Sequence, residues 1–233
     1  MTTTEKLNKF VQSVYLVRYG RYIDDITDED GVIEVEKTID WTNQFLEELE
    51  EEADWQYLRE NNYNLGVVAT ASQIFELPDE VRKLVVDENR PLTIYQGDTL
   101  VSKWDVVNPN QLTERSDNGY RENRVTFVNN QVVFSRPLDE GEIGGVVEAD
   151  VINYMPELSD TNVDLLDLIK PKQLLILGVA KNATLPDIVQ GGLSPSFAQK
   201  YSDLLDKAIM ENEKTATASS TVGDDYSYIT GVY

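Results

Sequence analysis

The sequence predicts an α+β fold, in which a helical bundle of about four main helices carries an inserted β-hairpin-rich subdomain and ends in an extended C-terminal tail. Apolar residues recur at helical spacing as far as Tyr57, at a period of two from Val67, and at helical spacing again after Pro156. These changes of period divide the chain into N-terminal helices (1–66), the inserted β-rich subdomain (67–157), C-terminal helices that complete the bundle (158–213) and a flexible docking tail (214–233).

Two N-terminal helices are predicted, the first over residues 4–18 with its end at Gly20 and the second from about Glu34 to Glu60. The apolar stripe of the first helix comprises Leu7, Phe10, Val11, Val14 and Val17. The stripe of the second comprises Val35, Ile39, Leu46, Leu49, Ala53 and Tyr57, with Trp41 and Phe45 beside it. Five glutamates crowd the same turns, Glu47, Glu48, Glu50, Glu51 and Glu52. Their mutual repulsion weakens the helix, so burial of the stripe must outweigh it.

The clearest β signal is a hairpin with Asn129-Asn130 as its two-residue turn, because Asn tolerates the positive φ that such turns require. This turn pairs Phe127 with Val132 and Val125 with Phe134, and aromatic beside β-branched residues are favourable cross-strand pairs. A second hairpin is predicted at Gly97-Asp98. It sets Tyr95 against Leu100 and Ile94 against Val101.

Less regular segments surround these hairpins. A strand is predicted to close at Pro78, and the residues after Asp79 fit a second strand or a short helix followed by a strand. Residues 105–123 lack periodicity and predict a long exposed loop, and a strand is predicted to end at Tyr154-Met155-Pro156.

Helical spacing returns in the C-terminal part. Asp160 or Thr161 is suited to cap a short helix that ends before Pro171. The next helix is nearly all apolar between Leu174 and Ala180, which predicts that it is buried. The last helix begins with Ser194 as its N-cap, and its stripe comprises Phe197, Tyr201, Leu204 and Ala208.

The composition excludes several kinds of catalytic and metal-binding site. The 233 residues include no cysteine and no histidine, so thiol nucleophiles, Cys/His zinc sites and histidine-based triads are excluded. No apolar run approaches the length of a membrane span, so no membrane is expected as a partner. A net charge of −22 disfavours a broad basic face for nucleic acid and is also typical of simple solubility.

Three groups of polar residues are potential sites. The run from Asp25 to Gly31 is similar to a calcium loop, but Asp30 stands where such a loop needs glycine, so no metal site is predicted. Carboxylate pairs such as Glu47 with Glu51 follow from the density of acidic residues, and no catalytic residue is assigned. Tyr120, Arg121 and Arg124 form a candidate interface loop.

The tail regains large residues after a small, polar stretch. Tyr226, Tyr228, Ile229 and Tyr233 are candidate docking residues, since disordered segments with apolar tips often fold on a partner. The alternative is a strand added to the chain's own sheet.

The order of these segments, with several short sequences, resembles the head–tail adaptor family of tailed bacteriophages. The similarity covers most of residues 4–213: N-terminal helices, a strand closing in Leu77-Pro78-Asp79, hairpins, a strand ending near Tyr-x-Pro, and helices with a Leu185-Pro186-Asp187 segment between them. The final helix has the Ala198, Tyr201 and Leu205 spacing of the family's closing helix.

The resemblance implies a structural virion protein without enzymatic activity or cofactor. It would be made in the host cytoplasm and form a ring, with the portal's twelvefold symmetry, at the head–tail junction or neck. The tail would dock on the portal protein, and a downstream tail or neck protein would bind the opposite face. Double-stranded DNA would pass the ring with only transient, non-specific contact. Glu47, Glu48, Glu50, Glu51 and Glu52 are the candidate channel-facing residues, because carboxylates offer phosphates no favourable contact.

Two other function classes stay open on the sequence alone. An acidic DNA-mimic inhibitor of a DNA-handling enzyme would explain the charge of −22. A carboxylate-based hydrolase would need a buried carboxyl with a shifted pKa in a cleft.

Overall fold

The chain folds into two compact units in a computed structural model that describes residues 2–85, 90–112, 123–184 and 195–227. Residues 1–57 and 155–233 form the first, here called the helical unit, and residues 58–154 form the second, here called the sheet unit. The sheet unit is therefore an insertion between two segments that fold together.

The helical unit contains five described helices: α1 (Thr3–Tyr19), α2 (Glu29–Glu52), α3 (Leu165–Leu168), α4 (Lys172–Thr184) and α5 (Pro195–Ser227). Thr2 and Glu5 form a capping box at the start of α1, and Gly20 ends that helix in the left-handed conformation. Asp28 caps α2 by accepting a hydrogen bond from the Gly31 N–H at 2.7 Å. Among the described helices, none is long and apolar enough to cross a membrane.

The core of the helical unit is built around α4, which packs against α1, α2, α3 and α5. Its residues Leu174, Leu175 and Val179 are buried, as the apolar run between Leu174 and Ala180 predicts. From α1 and α2 the core takes Leu7, Phe10, Val11, Val14, Phe45, Leu46 and Leu49. Burial of these apolar side chains is the main favourable term that holds the helices together.

The sheet unit contains eight described strands in one curled, mixed sheet. They are β1 (Arg59–Val67), β2 (Ile74–Glu76), β3 (Val81–Leu84), β4 (Leu92–Gln96), β5 (Thr99–Val106), β6 (Arg124–Val128), β7 (Gln131–Phe134) and β8 (Val146–Asn153). Their order is β1-β8-β4-β5-β6-β7-β2, with β3 also paired to β8. Only β5 and β6 are parallel among the described pairs, and they join the two hairpins into one sheet.

The inner face of the sheet carries its own core. Trp104 and Phe134 meet edge to face with ring centroids 4.7 Å apart, a favourable aromatic geometry. Around them pack Leu65, Val68, Leu77, Val81, Leu84, Leu92, Ile94, Val106, Val125, Val132, Leu138, Val147, Ala149 and Val151. All of these residues belong to the sheet unit, so the sheet unit has an apolar core of its own.

The predicted fold class, a four-helix bundle with a small hairpin-rich subdomain, is wrong. The molecule is α+β but dominated by its sheet. The hairpins are not isolated, because β8 joins β1, β3 and β4, and β5 joins β6. These pairings link residues far apart in the chain, and local periodicity carries no signal for them.

Several element boundaries also differ from expectation. The second helix ends at Glu52 rather than Glu60, because Arg59 begins β1 and pairs with Ile152. Neither Asp160 nor Thr161 caps α3, whose N-cap residue is Asp164. Val17 is 40% exposed although it lies on the predicted stripe of α1. The first helix, its end at Gly20 and the buried character of α4 are confirmed.

Candidate interaction surfaces

The acidic face of α2 presents four of the five predicted glutamates to solvent. Glu47, Glu48, Glu51 and Glu52 are exposed, and they lie one turn apart in two like-charged pairs. Leu46, just before them in the sequence, and Leu49, among them, are buried. The apolar stripe thus holds α2 against the unit while one carboxylate-rich surface stays in water.

Two of these glutamates have protein partners. The Glu50 carboxylate is only partly exposed and accepts a hydrogen bond from the Met155 N–H at 3.2 Å. The Glu48 carboxylate lies 3.3 Å from the Lys181 ammonium of α4. Glu50 therefore holds the backbone at Met155, just after the sheet unit ends. Glu47, Glu51 and Glu52 make up most of the acidic surface that faces solvent.

Helix α5 is only half covered by the helical unit. Tyr201 meets the Phe45 ring edge to face at 6.3 Å, and the Asn212 side chain bonds the Asp54 carbonyl at 2.9 Å and the Gln56 N–H at 2.7 Å. Burial of the Tyr201 side chain, together with the negative charges of Glu48 and Glu52, raises the pKa of Tyr201 to about 12. Of the side chains described between residues 196 and 216, however, only Ala208 is buried, and Met210 is 55% exposed.

Three of the four predicted docking residues lie outside the described part of the chain. Helix α5 continues to Ser227, so the predicted start of flexible chain at residue 214 falls within a helix. Tyr226 belongs to this helix, and Tyr228, Ile229 and Tyr233 lie outside the described part of the chain. Their role as a docking segment stays a prediction.

The candidate interface loop is described at one residue only. Arg124 lies in β6, where its guanidinium donates to the Gln111 carbonyl at 2.9 Å. Tyr120 and Arg121 are outside the described residues, so their association with Arg124 stays a prediction.

The acidic loop before α2 is organised by its own hydrogen bonds. The Asp25 carboxylate accepts from the Thr27 N–H at 2.8 Å and from its hydroxyl at 2.7 Å, and Asp28 caps α2. The hydroxyl bond to Thr27 holds the pKa of Asp25 below its usual value. Within the described ranges, no group of acidic side chains is placed to hold a metal ion.

The buried carboxylates of the sheet unit belong to ion pairs. Asp150 is 5% exposed, accepts from Arg90 at 2.6 Å and Arg59 at 3.0 Å, and also accepts from the Asn62 N–H at 3.0 Å. Burial alone would raise the pKa of Asp150, but these hydrogen bonds outweigh it and lower the pKa. The same balance lowers the pKa of Glu142, which Arg136 and the Asp139 N–H hold in place.

A positively charged cleft in the helical unit escaped the sequence analysis. This lysine cleft, about 290 Å³ in volume, lies where α1 meets α3 and α4. Lys6, Lys9 and Lys172 form its rim, and Phe10, Leu175 and Ile176 contribute its apolar floor. Asp167 pairs with Lys6 at 2.6 Å and with Lys172 at 2.8 Å, which lowers the pKa of Asp167 to about 2.

An exposed aromatic corner lies between α1 and α2. This tyrosine corner comprises Tyr19 and Tyr22, which are 51% and 61% exposed, together with the exposed carboxylates of Asp24 and Asp25. The Gln12 side chain holds the corner by bonding both the N–H and the carbonyl of Ile23, at 2.9 and 3.1 Å. Exposed large apolar groups rimmed by charge are typical of interaction sites.

Comparisons with known proteins provide no assignment for these surfaces. Neither a family model nor a curated protein sequence matches this chain.

Proposed function

We propose that this chain is a structural virion protein, a head–tail adaptor of a tailed bacteriophage. Copies of the chain form a ring that docks beneath the portal, links it to the tail and forms part of the channel for double-stranded DNA. The observation that carries this proposal is the insertion of the sheet unit, residues 58–154, between two segments that fold together as the helical unit. The sheet unit is larger than expected, but it occupies the place in the chain on which the resemblance to the adaptor family depends.

Helix α5 supports an assembly role. Four of its apolar side chains, Phe197, Leu204, Leu205 and Ile209, are only partly buried, and Met210 is 55% exposed. A ring copy surrounded by portal, neighbours and a neck protein offers such a helix further apolar partners. Covering these side chains at an assembly interface would be favourable in proportion to the apolar area removed from water.

The acidic face of α2 supports a channel role. Its exposed carboxylates repel phosphates, and a chain with a net charge of −22 provides no broad basic surface to hold DNA. DNA passing such a face makes transient contacts without counterion release, so it is not retained.

Mixing the purified chain with the cognate portal protein tests the proposal. We expect a stable complex whose electron-microscopy images show a ring of adaptor copies on one end of the portal.

A chain truncated after Lys214 should lose binding to the portal, while the helical content of the remaining residues is retained. A matched full-length variant with Asp203 replaced by Asn should bind normally, because Asp203 is exposed and its only described hydrogen bond is to Gln199 within α5. Failure of the full-length chain to bind the portal, together with its absence from purified virions, would contradict the proposal.

The alternative function, an acidic DNA-mimic inhibitor, is favoured by one observation. The exposed pairs Glu47–Glu51 and Glu48–Glu52 place carboxylates in a row along α2, as a mimic of the phosphate backbone requires. A mimic would compete with DNA for the basic cleft of an enzyme, in a salt-dependent manner. Gene deletion separates the two functions: loss of the adaptor leaves heads without tails, whereas loss of an inhibitor leaves particle assembly intact.

A further inference from the structure

The lysine cleft and the tyrosine corner are opposite in charge. Three lysines line the cleft against the single carboxylate of Asp167, and the charge of Asp164 also acts on Lys6. Lys9 has no ion-pair partner within the described part of the chain. The chain as a whole carries a net charge of −22, so a locally positive rim is the opposite of its average charge. The tyrosine corner instead carries the exposed carboxylates of Asp24 and Asp25 beside its aromatic side chains, against the exposed guanidinium of Arg21 in the same segment.

The two surfaces also fit in chemistry and size. The floor of the cleft is apolar, formed in part by the buried Phe10 and Leu175, and a volume of about 290 Å³ suits one or two large side chains rather than an extended segment. Tyr22 is the most exposed large hydrophobic residue described, at 61%. An aromatic body with a polar hydroxyl suits a pocket that is apolar below and charged at its rim.

A single copy cannot bring these surfaces together. Lys6 lies near the start of α1 and Tyr19 at its end, so about 20 Å of helix separates them at 1.5 Å per residue. Complementary patches at opposite ends of one element favour a head-to-tail contact between copies. Such a heterologous contact closes into a ring when the rotation between neighbours permits.

We propose that, in the adaptor ring, the lysine cleft of each copy receives Tyr22 and the adjoining carboxylates of the tyrosine corner of the next copy. The inference rests on the proposed ring and names one of its subunit interfaces. Apolar contact with the floor supplies affinity, and charge complementarity between the lysine rim and Asp24 and Asp25 sets the orientation.

The absence of cysteine from the chain makes a crosslinking test direct. Arg21→Cys places a thiol beside the corner, and Gln173→Cys places one beside Lys172 at the cleft, both at exposed positions. In the full-length double variant, at high protein concentration, a short bismaleimide should produce a ladder of dimers, trimers and higher species. Each single variant should give no ladder. The matched control, Arg21→Cys with Ser202→Cys on the exposed surface of α5, should also give none.

Charge reversal then tests the recognition itself. In the double-cysteine chain, Lys9→Glu should reduce the crosslinked fraction at least about fivefold, and adding Asp24→Lys should restore most of it. Truncation after Ala216 should leave the ladder unchanged. Circular dichroism of every variant establishes that the helices are retained.

Each alternative result has a defined meaning. Crosslinking that stops at dimers would indicate a symmetric contact and overturn the head-to-tail proposal, as would the absence of a ladder. Loss of the ladder on truncation would show that the C-terminal segment, not the corner, occupies the cleft.

If portal binding persists while the ladder is absent, this interface is wrong and the adaptor function stands. If the ladder forms but the chain never binds the portal, the interface stands and the adaptor function fails.

Discussion

Gly178 of α4 lies directly against the aromatic ring of Phe45 in α2, with no space for a side chain between them. A methyl group at this position would meet three atoms of the buried ring, and Phe45 is 1% exposed, so it has no solvent space to move into. The closest approach of α2 and α4 therefore depends on a glycine. Glycine in a helix interior costs conformational entropy, and close packing of the two helices offsets that cost.

The first prediction follows from this contact. Gly178→Ala should destabilise the helical unit by about 1–3 kcal/mol, although alanine is the better helix former, because overpacking outweighs propensity. Chemical denaturation followed by circular dichroism at a helical wavelength measures the change. Gly141→Ala is the matched control, since the added methyl group would meet no atom within 4 Å. Equal stability of the two variants would contradict the overpacking argument.

The second prediction concerns the acid stability of the sheet unit. The pKa of Asp150 is lowered in the folded chain, so its ion pairs contribute stability above the ordinary carboxyl pKa of about 4. That contribution is lost as the pH falls through the lowered pKa. Asp150→Asn should lower the free energy of unfolding by about 2–3 kcal/mol at neutral pH, because Arg59 and Arg90 lose their buried charged partner. It should also make stability less dependent on pH below about pH 4.

Trp104 provides the readout for Asp150→Asn. Trp104 is fully buried in the sheet unit, and replacing Trp41 and Trp55 by Phe leaves it as the single tryptophan of the chain. Asp139→Asn is the control, because the Asp139 side chain is 72% exposed and its pair with Arg136 is therefore weak. An unchanged pH profile for Asp150→Asn would show that the ion pairs do not contribute to acid sensitivity.

The third prediction concerns the turn between β6 and β7. Asn129 and Asn130 have φ values of 52° and 60°, in the left-handed region. Asn130→Gly should stabilise the sheet unit by about 0.5–1 kcal/mol, since glycine adopts positive φ without steric cost. Asn130→Ala should destabilise it by about 1 kcal/mol. Trp104 fluorescence on denaturation measures both, and changes of the same sign would contradict the conformational explanation.

This hairpin also shows what local sequence determines. The predicted pairs Phe127–Val132 and Val125–Phe134 are confirmed, because the turn and both strands lie within eleven residues. The hairpin at Gly97-Asp98 is half right. Tyr95 pairs with Leu100 as predicted, but Ile94 pairs with Ser102 rather than Val101, since a bulge intervenes. The bulge lies where β4 also pairs with β8, a strand about 50 residues later, so the hairpin alone does not determine it.

Contacts distant in sequence explain the remaining failures. Strand β1 is largely polar, and it exists because β8 pairs with it along its length. The predicted second helix includes Arg59 of this strand, whereas Arg59 pairs with Asp150, which comes 91 residues later. The lysine cleft has the same origin: Lys6 and Lys172 meet only because both bond Asp167 once α1, α3 and α4 have packed. No periodicity marks such a site.

The fourth prediction tests whether the acidic face of α2 is retained for function at a cost in stability. The paired substitution Glu47→Gln with Glu51→Gln removes one like-charged pair from exposed positions. It should stabilise the helical unit by about 0.2–0.5 kcal/mol at low ionic strength. The gain should shrink at high salt, where screening already weakens the repulsion.

Thermal unfolding at two salt concentrations measures this gain, and Glu157→Gln is the control because Glu157 is exposed and lies outside the described helices. In particles, the same paired substitution should slow DNA ejection if this face lines the proposed channel, since removing carboxylates weakens the repulsion of phosphates. The control should leave ejection unchanged. A stability gain without any change in ejection would mean that this face does not line the channel, and the carboxylates would then be explained by solubility.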